Sequence, residues 1–163
     1  MPVKKNYTWE ELEFFIKKLG KIIQVTTFIP DIILGITRGG CFPALLLSHI
    51  LEVRTFYTLS ISTTIDETIR AKRIFHKVHH SFDSEIIANK KILIVDDVVN
   101  TGKTLEIAYN SIIELNPKEI KTACIFWDTI LEEFNKNNQP DFCYTDYYSD
   151  KVDAWIIFPW EIN

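Results

Sequence analysis

Two short stretches hold residue types able to do chemistry together. "ITRGG", ending at Gly40, sets Arg38 beside Gly39 and Gly40, and "ILIVDDVVNTGKT", Ile92 to Thr104, sets Asp96 and Asp97 just ahead of Asn100, Thr101, Gly102, Lys103 and Thr104. Thr-Gly-Lys-Thr at the start of a helix offers backbone N–H and hydroxyl donors, a nest suited to one phosphate. Carboxylates repel phosphate, so the acid pair needs other partners: hydroxyl groups, which donate to it, or a hard cation such as Mg2+. A phosphate with hydroxyls about one sugar ring away is a ribose 5-phosphate. The glycines after Arg38 allow close backbone approach and the guanidinium supplies a fork of donors, which suits a second anionic group. The pattern therefore points to a diphosphorylated ribose.

A nucleotide-binding P-loop is disfavoured by what that loop requires. That loop needs glycine five positions before its Gly-Lys-Thr, and here Asp97 stands there. Taken singly, an acid pair after a strand is often a solvated strand end, and Arg-Gly-Gly is often only a turn. Their joint placement favours a site.

The elements around these turns are legible. "YTWEELEFFIKKLGKII" opens with a capping box, Thr8 and Glu11, and repeats apolar residues at Trp9, Leu12, Ile16, Leu19 and Ile23, which predicts a helix closing at Gly20 or shortly beyond. "DIILGITRGG" predicts a strand over Ile32 to Ile36 and a turn, and "CFPALLLSHIL" a helix with Pro43 in its first turn. "RTFYTLSIS" predicts a strand, and "ETIRAKRIFHKVHHSF" a mobile excursion or hairpin. A buried strand over Ile92 to Val95, a helix ending before Pro117 and the strand "EIKTACIFWDT" follow, then an extended aromatic tail. Alternation of strands and helices predicts an α/β fold with a mostly parallel sheet, and such sheets bind ligands beyond the carboxyl ends of their strands.

Composition narrows the function classes. The chain has 163 residues, 47% of them hydrophobic, and fits a single domain over residues 1–163. A net charge of −4 argues against general nucleic-acid binding. The longest apolar run is 11 residues and contains Ser48 and His49, too short to span a bilayer, and the N-terminus has no signal-peptide core. Cys41, Cys124 and Cys143 are widely spaced, as in a cytoplasmic protein with reduced thiols. "HKVHH" would put His76, His79 and His80 on one helical face, but with no fourth ligand in view a solvated basic segment is favoured.

"ILIVDDVVNTGKT" resembles the phosphoribosyl-diphosphate signature of type I phosphoribosyltransferases. Closer resemblance is to their bacterial xanthine-guanine and archaeal hypoxanthine-guanine branch, through "YTWEELEFFIKKL", "ILGITRGGCFPALLL" and "DAWIIFPWE". The resemblance implies a mostly parallel sheet flanked by helices, with a small hood over the base site. It implies transfer of a phosphoribosyl group from phosphoribosyl diphosphate to a purine, with Mg2+, in a homo-oligomer, dimer or tetramer. Thr37, Arg38 and Gly39 would form the diphosphate loop with a cis peptide before the arginine. Asp96 and Asp97 would engage the ribose hydroxyls, with Asp97 nearest the metal. Asn100, Thr101, Gly102, Lys103 and Thr104 would hold the 5-phosphate, Trp155 would stack on the base and the backbone of Ile156 would read its edge.

Two positions depart from that branch. Asn100 stands where it usually has an aspartate that exchanges a proton with the base, and Asp128 where it usually has a lysine that donates to the 6-oxo group. Asparagine cannot titrate, and an ionised carboxylate repels an oxo oxygen but favours an amino donor. The expectation is a preference for an amino-bearing base, or weakened oxopurine chemistry. Weaker readings are a catalytically weak regulator that keeps the ligand, and an open-sheet binding module of another family. Trp160 is expected in an aromatic core or at a contact between subunits.

Overall fold

The computed structural model describes residues 3–66, 73–129 and 145–161. After a short strand β1 (Lys4–Asn6), Thr8 starts helix α1 (Trp9–Gln24) with both bonds of the expected capping box. Glu11 N–H donates to Thr8 Oγ1 at 3.2 Å and Thr8 N–H to Glu11 Oε2 at 2.8 Å. Leu12, Ile16, Leu19 and Ile23 are buried on one face, each contributing about 1.5–3 kcal/mol of apolar burial. One detail corrects the sequence expectation and one narrows it, since the helix closes at Gln24, shortly beyond Gly20. Trp9 is 49% exposed, outside that buried stripe. Gly20 does not end the helix: it is buried within it, where a Cβ would meet Ile50 Cγ2 at 2.5 Å. It is the small residue that lets α1 lie against the next helix.

That helix, α2 (Cys41–Ile50), follows strand β2 (Ile32–Thr37). Then come β3 (Phe56–Asp66), β4 (Arg73–His80), β5 (Lys91–Val99), α3 (Lys103–Ile113), β6 (Glu119–Asp128), β7 (Tyr147–Val152) and β8 (Trp155–Ile157). The main sheet has the order β4-β3-β2-β5-β6-β7, parallel except for β4. The basic segment is thus the return strand of a hairpin, and its tip, residues 67–72, lies outside the described residues. Helical spacing of the histidines does not apply there. His80 packs on Phe82, ring centroids 4.6 Å apart, with its Nδ1 2.8 Å from the Phe82 carbonyl oxygen.

Strand alternation builds two cores. Ile32, Leu34 and Ile36 face Leu105, Ala108 and Ile112 of α3, and Ile33, Leu93 and Val95 face Leu12, Ile16 and Leu47 of α1 and α2. The tail is anchored to β6 by Asp146, which accepts from Thr122 N–H at 2.8 Å and from Lys121 Nζ at 3.0 Å. Beyond β7, the chain pairs β8 in parallel with β1, a two-stranded sheet apart from the main one.

Candidate active site

β2 and β5 are parallel neighbours in register, Gly35 opposite Val95, so the chain leaving β2 emerges beside the acid pair. The Thr37–Arg38 peptide bond is cis, and the Arg38 side chain is exposed. Close approach makes glycine necessary at the next two positions. A Cβ on Gly40 would lie 2.5 Å from Val95 O and 2.9 Å from Asp96 Cα, and one on Gly39 only 1.7 Å from Asp97 Oδ2. The two motifs that are far apart in the sequence are in van der Waals contact here.

Asp96 and Asp97 do not belong to the turn, as the sequence reading placed them, but to β5. Its pairing with β6 runs on through Val98 opposite Phe126 and Val99 opposite Trp127, and this ladder keeps the polar residues extended. Asp96 is buried and accepts the Asp97 N–H at 3.0 Å, and Asp97 Oδ1 accepts the Val98 N–H at 2.7 Å. Burial, then the charge of Asp97, pushes Asp96 well above the usual carboxylate range. Burial also raises Asp97 against the Val98 hydrogen bond, and the Glu161 carboxylate adds to the rise. Glu161 is a neighbour the sequence reading missed, since nothing in the spacing of "PWEIN" places it near residue 97. Two adjacent carboxylates, both held back from ionising, are stabilised by hydroxyl donors or a cation.

Past β5 the chain turns at Gly102, whose φ of 75° lies in the left-handed region, and α3 begins at Lys103. A cavity of about 80 Å3 sits at this helix N-terminus, lined by Asp96, Val98, Val99 and residues 100–105. Lys103 N–H lies 3.4 Å from Thr101 Oγ1, while the Lys103 ammonium pairs with Glu106 at 2.8 Å. The donors oriented by the loop itself are therefore backbone N–H groups and threonine hydroxyls, reinforced by the helix dipole.

Asn100 and Asp128, singled out separately in the sequence, are partners: Asn100 Nδ2 donates to Asp128 Oδ2 at 3.1 Å. Asp128 in turn is opposite Val152 of β7, whose carbonyl accepts the Thr129 N–H at 2.7 Å. Trp155 follows three residues on and is 60% exposed, whereas the Ile156 side chain is buried. Bonds from Trp155 N–H to Val3 O and from Tyr7 N–H to Ile157 O tie β8 to β1. Strand alternation turns the Ile156 N–H and C=O to the other edge. Trp160 joins an aromatic cluster, stacked on Phe158 at 4.5 Å and on Phe42 at 4.7 Å. Cys41 and Cys124 are poor nucleophiles, since burial and then Asp96 raise both thiols, and Cys143 lies outside the described residues.

The order of strands and helices is that of the type I phosphoribosyltransferase fold, carrying an arginine turn, an acid pair and a phosphate-sized nest on neighbouring strand ends. A model of the phosphoribosyl transferase domain matches residues 7–162, and the chain belongs to that family. It is 33% identical over 132 residues to a xanthine-guanine phosphoribosyltransferase of Ruegeria sp. (strain TM1040), covering 80% of this chain and 68% of that relative. To the enzyme of that name from Desulfotalea psychrophila it is 28% identical, over 97% of this chain and 88% of the other. The crystal structure of a purine phosphoribosyltransferase from Pyrococcus horikoshii Ot3 superposes with a TM-score of 0.75 at 30% identity, covering 98% of this chain and 95% of that one.

Proposed function

We propose that the protein, acting as one domain over residues 1–163, transfers the 5-phosphoribosyl group of phosphoribosyl diphosphate to a purine and releases diphosphate. The observation that carries this reading is the contact of the Arg38–Gly40 turn with Asp97 beside the cavity at Gly102, two anion sites flanking an acid pair. Relatives named for purine transfer support the choice of base class.

Thr101, Gly102, Lys103 and Thr104, with Asn100 at the edge, hold the 5-phosphate. Asp96 and Asp97 accept hydrogen bonds from the ribose hydroxyls. Thr37, Arg38 and Gly39 hold the diphosphate, Trp155 stacks on the base and the Ile156 backbone reads its edge. In the reaction, the bond from C1 of the sugar to diphosphate oxygen breaks with its electron pair leaving on the diphosphate, a base nitrogen bonds to C1, and that nitrogen's proton passes to water. Arg38 and the turn N–H groups favour the growing negative charge, and the acid pair tolerates the positive charge that develops on the ring.

Among the described residues no group of three or more His, Cys, Asp or Glu is arranged to hold a metal. Asp97 and Asp96 fit Mg2+ in its usual manner, with one or two protein carboxylates and the remaining oxygens from ligand phosphates and water. When bound, Mg2+ neutralises charge on the leaving diphosphate. No described helix is long and apolar enough to cross a membrane, and cytoplasmic purine salvage is the proposed setting. A dimer or tetramer belongs to the same proposal.

Titrating phosphoribosyl diphosphate with Mg2+ into the protein by calorimetry tests the ligand. Saturable binding weakened by Arg38→Ala and by Asp97→Ala is expected; no heat of binding overturns the reading.

A further inference from the structure

The hydrogen bond between Asn100 and Asp128 says more than either residue does alone. The 3.1 Å contact shows how the Asn100 amide is turned: its NH2 donates to Asp128 Oδ2, which leaves its Oδ1 directed away from that oxygen. Asp128 is 8% exposed and fixed in the β5–β6–β7 ladder, while Asn100 is exposed at the rim of the cavity beside Gly102. The pair lies between the phosphate nest and the strand that leads to Trp155. If the proposed function holds, the base joined to C1 lies against it.

We propose that Asn100, held by Asp128, reads the base and selects a 6-aminopurine over a 6-oxopurine. This deepens the proposed function and rests on it. An asparagine amide meets adenine in two bonds, its oxygen accepting from the 6-amino group and its NH2 donating to N7. One NH2 proton is engaged by Asp128, and the second serves N7. A 6-oxopurine presents acceptors at both O6 and N7, so the Asn100 oxygen and the Asp128 carboxylate both oppose O6. Asp128 is the positioning residue: it prevents the amide from flipping to offer its NH2 to an oxo group.

The test supplies adenine, hypoxanthine and guanine separately, with phosphoribosyl diphosphate and Mg2+, to the unaltered protein. The kcat/KM for adenine is expected to exceed that for hypoxanthine by about 10- to 100-fold, the usual discrimination of one two-bond contact. Asp128→Asn should reduce that ratio through the KM for the base while leaving the KM for phosphoribosyl diphosphate unchanged, which general misfolding would not do. Asp128→Lys should move the preference towards hypoxanthine. Hypoxanthine or guanine turned over as fast as adenine by the unaltered protein overturns the inference while leaving the transferase reading intact. Binding of phosphoribosyl diphosphate with no turnover of any of the bases also overturns it. Failure to bind phosphoribosyl diphosphate overturns the transferase reading itself.

Discussion

Gly39→Ala and Gly20→Ala add the same methyl group at two tight positions, but only the first should disable the site. At Gly39 the new Cβ would start 1.7 Å from Asp97 Oδ2 and 2.4 Å from its Cγ. Reaching ordinary contact requires a relative shift of roughly 2 Å between turn and carboxylate. Asp97 is short and is held by the Val98 N–H at 2.7 Å, so it cannot swing aside without losing that bond. Overpacking of this kind costs about 1–3 kcal/mol of stability. Misplacing the diphosphate turn by about 1 Å should lower kcat/KM by about 100-fold. At Gly20 the obstacle is Ile50 Cγ2 at 2.5 Å, a branch methyl on the last residue of α2, and the contact joins α1 to α2 away from the acid pair, so the helices can part slightly without disturbing the site. The gain of about 1 kcal/mol in helix propensity offsets part of that clash. Gly20→Ala should therefore shift the denaturant midpoint modestly and leave kcat/KM within about twofold. Urea unfolding and steady-state kinetics on both variants decide the matter. Full activity in a folded Gly39→Ala variant would refute the claim that the two turns form one site.

Three further outcomes follow from the packing. Because Asp96 has a raised folded-state pKa, it favours folding while protonated, and that contribution is lost as pH rises from the unfolded value of 3.8 through the folded one. Without ligand, Asp96→Asn should then be more stable than the parent at pH 8, with the difference vanishing towards pH 4; a constant difference across that range by thermal unfolding contradicts the assignment. Asp146→Ala removes the acceptor for Thr122 N–H and Lys121 and should cost about 1–3 kcal/mol in chemical denaturation, because a β6 donor is left unpaired. Ser149 Oγ is buried without a hydrogen-bond partner among the described residues, so Ser149→Ala should be neutral or stabilising by up to about 1 kcal/mol in the same measurement.

Local signals carried much of this architecture. The capping box at Thr8 and Glu11, the β-branched runs of β2 and β5, and Gly102 at the turn into α3 are consequences of short-range chemistry, and the structure keeps each of them. What the sequence obscured depends on partners distant in the chain. Gly20 looks like a helix stop because its packing partner, Ile50, is thirty residues on. Asp96 and Asp97 look like turn residues because polarity suggests a strand end, whereas pairing with Phe126 and Trp127 extends β5 past them. The pairing of β1 with β8, the approach of Glu161 to Asp97 and the bond from Asn100 to Asp128 have no local signature. That last bond joins two departures from a family pattern into one element, and the proposed base preference rests on it.

Product analysis after incubating the protein with phosphoribosyl diphosphate, Mg2+ and a purine tests phosphoribosyl transfer most directly. A purine nucleoside 5′-monophosphate formed in equal amount to diphosphate is expected, with both lost in Arg38→Ala. Diphosphate released without nucleotide, or no product from any purine by protein that binds phosphoribosyl diphosphate, would contradict it.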